Sequence, residues 1–136
     1  MVDESLNLLL ETVDFGRHIT DEVTRLVGDR VPLGNHALLV CCRLEIEGDL
    51  RVKELADLSG VTSGRVTQVV GELTDAGLLE TRGDPADGRA TVVSLTDEGH
   101  AFVHAVSDAL SQSFRNDPVP LERFTQAVRL ANAKVG

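Results

Sequence analysis

The sequence has no tryptophan and no tyrosine, and its four phenylalanines make aromatics only 3% of 136 residues. A core without large rings must be assembled from leucine, valine, isoleucine and alanine. Cysteine is nearly absent. The two present, Cys41 and Cys42, are neighbours and cannot form an ordinary disulfide framework. That usage fits a reducing, cytoplasmic compartment. No apolar run reaches the roughly eighteen residues of a transmembrane helix, so no membrane partner is expected. The acidic, amphipathic start MVDESLNLLLETVD is unlike a secretory signal. Catalytic patterns are missing too: there is no glycine-rich phosphate loop and no nucleophile elbow. Glu45 and Glu47, two apart on a helix, do not face each other. The chain reads as a non-enzyme with no cofactor. Positive charge is scarce as well, with 13 Lys and Arg against 22 Asp and Glu and a net charge of -9. On balance alone this argues against nucleic acid, because phosphate binding needs clustered positive charge.

What is present is an ordinary globular composition, 42% hydrophobic and 26% charged, of one domain's length or one domain with appended helices. Leu6, Leu9, Leu10, Val13, Ile19, Val23, Leu26 and Val27 recur at helical spacing and predict a helix over 3–29, stopped by Gly28 and Pro32. The nearly continuous apolar run over 34–47 predicts a second helix, buried on most sides. Residues 50–58 predict a short helix, with a strand residue or two before it, broken at Ser59-Gly60. Thr62 or Ser63 then caps a helix over 62–76. The period next changes from 3.6 to 2. Strands at 78–82 and 90–95 flank Asp84-Pro85-Ala86-Asp87-Gly88, predicting a hairpin with a loop longer than two residues. Helices over 97–115 and 120–134 complete the chain, the first capped by Thr96.

Two helices joined by a tight Ser-Gly turn and followed by a hairpin give the order of a winged helix-turn-helix. A short first helix braces a second, whose outer face can enter a major groove about 12 Å wide. Residues 50–99, LRVKELADLSGVTSGRVTQVVGELTDAGLLETRGDPADGRATVVSLTDEG, resemble the multiple-antibiotic-resistance-regulator (MarR) family. Asp87-x-Arg89, then Leu95-Thr96 and Glu98-Gly99, are similar to that family's wing pattern. The order of the flanking helices extends the resemblance over essentially the whole chain. The fold class expected is mainly α with a small β-hairpin wing. The division expected is an N-terminal dimerisation helix at 1–33, a winged lobe at 34–96, and C-terminal dimerisation helices at 97–136.

The resemblance implies a homodimeric transcriptional regulator, a repressor reading a pseudo-palindrome in double-stranded DNA, released by a small-molecule effector. The residues agree independently on the dimer. The apolar faces of the first and last helices exceed what a winged core of about fifty residues can cover, and such patches mark interfaces. A twofold dimer spaces its recognition helices about 34 Å apart. Ser63 stands at a helix N-terminus, where backbone amides favour a phosphate. Thr62, Arg65, Thr67 and Gln68 lie away from Val66, Val69 and Val70. Arg65 suits guanine and Gln68 adenine. Arg89 is the wing's candidate for minor groove or phosphate, and Asp87 orients it. Arg82 and Lys53 are candidates for backbone contacts, although Arg82 can equally pair with a strand neighbour or with Glu80. Effector-lining candidates, placed by position, are Phe15, His18, Ile19, His36 and Val40.

Rival signals read more plainly. Cys41 and Cys42 sit in the most apolar helix, where free cysteine behaves as a small hydrophobe. His100 and His104, at i and i+4, share a helix face in zinc-ligand spacing. Two histidines do not make a site, and no metal is expected. The alternative function is a winged-helix protein–protein module with weak or no DNA binding. It draws on the charge: residues 61–95 hold three bases against five acids, while residues 1–35 hold three against seven. The acid excess is heaviest in the first helix, and net charge does not locate the field at a face.

Overall fold

The computed structural model describes residues 3–28 and 35–135. The expected stop at Pro32, the domain boundary at 33/34 and the start of the second helix at 34 lie outside the described residues. In chain order the elements are α1 (Glu4–Val27), α2 (Asn35–Glu47), β1 (Leu50–Arg51), α3 (Val52–Ser59), α4 (Ser63–Asp75), β2 (Leu79–Asp84), β3 (Asp87–Leu95), α5 (Asp97–Asn116) and α6 (Val119–Val135). This is the mainly helical, winged arrangement expected. Two compact units form: Met1–Gly28 with Val106–Gly136, and Asp29–Ala105. Among the described residues no helix is long and apolar enough to cross a membrane.

The winged unit is built on leucine and valine. Leu55 of α3, Val66, Val69 and Leu73 of α4, and Leu79 and Val93 of the sheet are fully enclosed. Each such side chain contributes about 1.5–3 kcal/mol on leaving water. The sheet is antiparallel in the order β1-β3-β2, which makes β3 central. A central strand covered on both faces explains why Val92, Val93, Ser94 and Leu95 are all buried without alternation.

The turn between α3 and α4 follows from Gly60. Its φ of 67° is left-handed, and its N–H donates to Ala56 O. Thr62 then caps α4, its hydroxyl accepting from the Arg65 amide at 3.1 Å. At the far end Thr96 ties the sheet to α5. Its hydroxyl donates to Gly77 O at 2.7 Å and accepts from the Gly99 amide at 3.0 Å. A Cβ at Gly99 would lie 2.1 Å from Leu78 O, so only glycine fits there. The Leu-Thr-x-Glu-Gly part of the wing pattern therefore serves the fold.

Two expectations are corrected. The hairpin loop has two residues, Pro85 and Ala86, because Asp84 pairs with Asp87. Asp84 holds the turn by accepting from the Ala86 amide at 2.9 Å, and Pro85 presets its own φ. The register steps between Gly83, opposite Thr91, and Asp84, opposite Asp87. Gly88, Arg89 and Ala90 thus bulge from the ladder. The second correction concerns α2, which is not buried on most sides. Ala37, Val40, Cys41 and Leu44 form one buried stripe, while Leu39 and Ile46 are exposed. A continuous apolar run does not tell how many faces the fold will cover.

In the helical unit, Asp3 caps α1 by accepting from the Ser5 and Leu6 amides, and α1 packs along α6. Phe15 stacks on Phe124 with ring centres 4.9 Å apart and on Phe114 at 6.1 Å. Val23, Val106 and Ala127 are buried. The first half of α1 is different: Leu6 is 63% exposed and Leu9 62%, with Leu10 and Val13 about half exposed.

Candidate nucleic-acid interface

The exposed face of α4 and the wing enclose a groove of about 790 Å³. From α4 come Ser63, Thr67, Gly71 and Thr74; from α3 and the residue before it, Lys53 and Arg51; from the hairpin, Thr81, Asp87, Arg89 and Thr91. The groove follows from pattern. Val66, Val69, Val70 and Leu73 turn into the core, so residues between them on the 3.6 period must face out.

Thr62, Ser63, Arg65, Thr67 and Gln68 are all exposed. The Thr67 hydroxyl donates to Ser63 O at 2.9 Å. Arg65 Nη1 donates to Gln68 Oε1 at 2.9 Å, one turn further along the same face. Arg89 sits in the bulge of β3. Asp87 supports it through the main chain, accepting from the Arg89 amide at 3.0 Å. Among the described residues Lys53, Arg65 and Arg89 form no ion pair. Lys53 and Arg89 share the groove with the carboxylates of Asp75 and Asp87, while Arg65 and Gln68 lie outside it, Arg65 beside the cavity between α2, α3 and α4.

Arg82 is placed apart from this set. Its guanidinium donates to Ser94 Oγ at 2.7 Å and pairs with Asp49 Oδ2 at 3.1 Å, and it does not line the groove. Arg51 was not singled out from the sequence. It lines the groove, pairs with Asp84 at 2.5 Å, and its amide donates to Glu54 Oε1 at 2.9 Å. The acid three residues after it was the only sequence signal. The Asp84 carboxyl lies below its usual range, chiefly because the Ala86 amide donates to it, with Arg51 adding to the effect.

The effector candidates fall on two cavities. Phe15 and His18 line one of about 190 Å³ in the helical unit, with Glu11, Asp14, Val119, Pro120 and Arg123. His36 and Val40 line one of about 130 Å³ in the winged unit, where α2, α3 and α4 meet. Ile19 is half-buried and lines neither.

His100 and His104 converge on Glu45 of α2, Nδ1 to Oε2 at 2.6 Å and Nε2 to Oε1 at 2.9 Å. Each imidazole takes a different oxygen, so the carboxylate bridges the two rings. Glu45 is held below the usual carboxylate range, first by the His100 hydrogen bond. Among the described residues no group of three or more such side chains is arranged to hold a metal ion. Burial pushes the Cys41 thiol up to about 12. Cys42 is raised too, by burial and then by the Glu45 charge. Neither is a thiolate at neutral pH.

Comparison with known proteins adds the following. The model of the MarR family matches residues 43–90. None of the curated proteins matches the sequence. A mutant MarR from E. coli is 16% identical, with a TM-score of 0.78 over 100% of this chain and 98% of that one. The same mutant complexed with operator DNA is 17% identical, with a TM-score of 0.65 over 86% and 89%. BpsR of Bordetella bronchiseptica, whose DNA binding is regulated by 6-hydroxynicotinic acid, is 20% identical, with a TM-score of 0.64 over 89% of each chain. At these identities the structural likeness shows the fold.

Proposed function

We propose that this chain, whose residues 43–90 match the model of the MarR family, is a homodimeric cytoplasmic repressor of that kind, whose two winged units read a pseudo-palindromic operator. One observation carries the reading. Lys53 and Arg89, without ion-pair partners among the described residues, line a groove bounded by a capped helix and a wing, and Arg65 stands exposed on the same helix just outside it. Ser63 and Gly64 present the first amides of α4 to a phosphate, Arg65 and Gln68 face base edges, and Thr62 and Thr67 flank them. Arg89, held by Asp87, reaches the flanking backbone or minor groove. Arg82 contributes through the sheet, by fixing β2 against Asp49. The operator complex of the E. coli relative supports DNA as the partner.

The exposed stripe Leu6, Leu9, Leu10 and Val13 supports the dimer, because water-exposed leucines in such a row seek a partner face. BpsR's regulation supports a small-molecule effector, with Phe15, His18, Ile19, His36 and Val40 as the residues to test. The acid excess of residues 61–95 favours a second reading, a protein–protein module on the same fold.

Binding of the purified protein to labelled duplex from upstream of its own gene, at low salt, separates the two. The regulator binds saturably, and Arg65→Ala weakens a cognate site by about 1–3 kcal/mol. A folded dimer with no saturable binding contradicts the regulator and leaves the module.

A further inference from the structure

We propose that Arg51 is a positioning residue of the wing: by pairing with Asp84 it fixes the hairpin tip, and with it Arg89, relative to α3 and α4. The inference rests on the DNA-binding reading above and adds to it a residue that acts through another. The backbone alone holds the tip loosely. β2 and β3 pair regularly as far as Gly83 and Thr91, then the bulge at Gly88, Arg89 and Ala90 interrupts the ladder, and Asp84 opposite Asp87 is the one pair beyond it. A bulge bends its strand and breaks the ladder locally, so strand register does not by itself aim the tip. The hydrogen bonds from Asp84 to the Ala86 amide and from Asp87 to the Arg89 amide are internal to residues 84–90. Among the described residues, the Arg51–Asp84 pair is the one side-chain ion pair or hydrogen bond that leaves the tip for another element.

Both ends of that pair are anchored. Arg51 lies opposite Val92 in the sheet and is the N-cap residue of α3, where its amide donates to Glu54 Oε1. Since α3 packs on α4, the Arg51 backbone is fixed relative to the exposed face of α4. The Asp84 side chain is only 12% exposed, and the same carboxylate holds the Pro85–Ala86 turn. A planar guanidinium meets a carboxylate in a preferred direction, which a point charge does not. A second pair runs beside the first. Arg82, level with Arg51 across Val92, pairs with Asp49, two residues back from Arg51; Arg51 pairs with Asp84, two residues on from Arg82. Together they brace the two edge strands over β3. Half-exposed pairs contribute little to global stability, so the effect falls on where the tip points. Arg51 lines the same groove as Arg89, which makes direct phosphate contact the rival role.

The test is a double-mutant cycle, titrating the full-length protein into labelled duplex from upstream of its own gene at about 50 mM salt, at a temperature where every variant is folded. Asp84→Asn keeps an oxygen for the Ala86 amide and removes the charge that holds Arg51. It weakens binding by about three- to tenfold, the size of coupling within one network, although loss of an acid beside DNA would by itself tighten binding. Arg51→Gln weakens binding by a similar factor, and Arg51→Lys recovers part of it. In an Arg89→Ala background neither Asp84→Asn nor Arg51→Gln adds to the loss, because the contact they position is already gone. Asp84→Asn binding as tightly as the wild type, or more tightly, overturns the inference. So does an equal loss from Arg51→Gln with and without the Arg89 side chain, which makes Arg51 a phosphate contact in its own right. Failure of the folded wild type to bind saturably overturns the DNA-binding reading itself, and this inference with it.

Discussion

The winged unit and the helical unit are made from the same few residue types yet finish differently. In the winged unit Leu55, Leu73 and Leu79 are enclosed by α2, α3, α4 and the sheet. In the helical unit Leu6, Leu9 and Leu10 of the first half of α1 stand exposed, although α6 runs along that same half, with Lys134 pairing to Asp3, Arg123 to Glu11 and Phe124 stacking on Phe15. A chain poor in aromatics can close a small α/β core, because short branched side chains interdigitate over a twisted sheet. The same side chains on a long helix leave a stripe that one neighbouring helix does not cover. The first unit encloses its leucine and valine core in a single copy, with Leu39, Ile46 and Leu58 left exposed outside that core. The second has the composition of half an interface.

The sharpest way to break this comparison is to truncate one leucine in each unit. Leu73→Ala lowers the unfolding free energy by about 2–5 kcal/mol in urea titrations, whatever the protein concentration. An unchanged midpoint would mean the winged core is not where the enclosed side chains place it. A charge in the stripe, Leu9→Asp, acts on assembly instead. Sedimentation detects a shift to monomer by well over tenfold in dissociation constant, with the winged unit still folded. A protein already monomeric before the substitution would refute the half-interface.

A smaller effect belongs to Glu45. Its carboxyl is held below the usual carboxylate value of 4.5, first by the His100 hydrogen bond, so its pairing with His100 and His104 stabilises the native state above that value. The contribution is lost as pH falls through 4.5 toward the folded pKa. The wild type therefore exceeds Glu45→Gln in stability at neutral pH, and the two melting curves converge in acid. A constant gap from pH 7 to pH 3 would show that the bridge contributes nothing. The smallest effect is expected at Cys41. With its thiol at about 12, iodoacetamide at pH 8 leaves it unlabelled in the native protein and labels it only in denaturant.

The helices were readable because Val66, Val69, Val70 and Leu73, or Leu6, Leu9, Leu10 and Val13, repeat at a period that no strand shares. The exposed face of α4 was readable by subtraction from the same pattern. The wing's tip was not. Asp84-Pro85-Ala86-Asp87-Gly88 offers turn formers at every step. The choice of a two-residue loop rests on the Asp84–Ala86 bond and a bulge beyond it, which composition does not rank. Arg82 was readable in part: its bond to Ser94 on the adjacent strand is the strand-neighbour pairing weighed above, whereas its second partner, Asp49, lies 33 residues earlier and is brought near only by the sheet. Nor does residue type record that Gln68 accepts a hydrogen bond from Arg65 on the same face of α4.

The net charge of -9 makes DNA binding the claim most worth testing. The measurement is the salt dependence of binding to the upstream duplex from about 50 to 200 mM. Few cations line each subunit's groove, and each neutralised phosphate contributes about -0.9 to the log–log slope. Lys53 and Arg89 of the groove and Arg65 beside it, in two copies, thus predict saturable binding with a slope of about -5. No saturable binding by the folded dimer at the lowest salt, or binding with a slope near zero, would contradict the account.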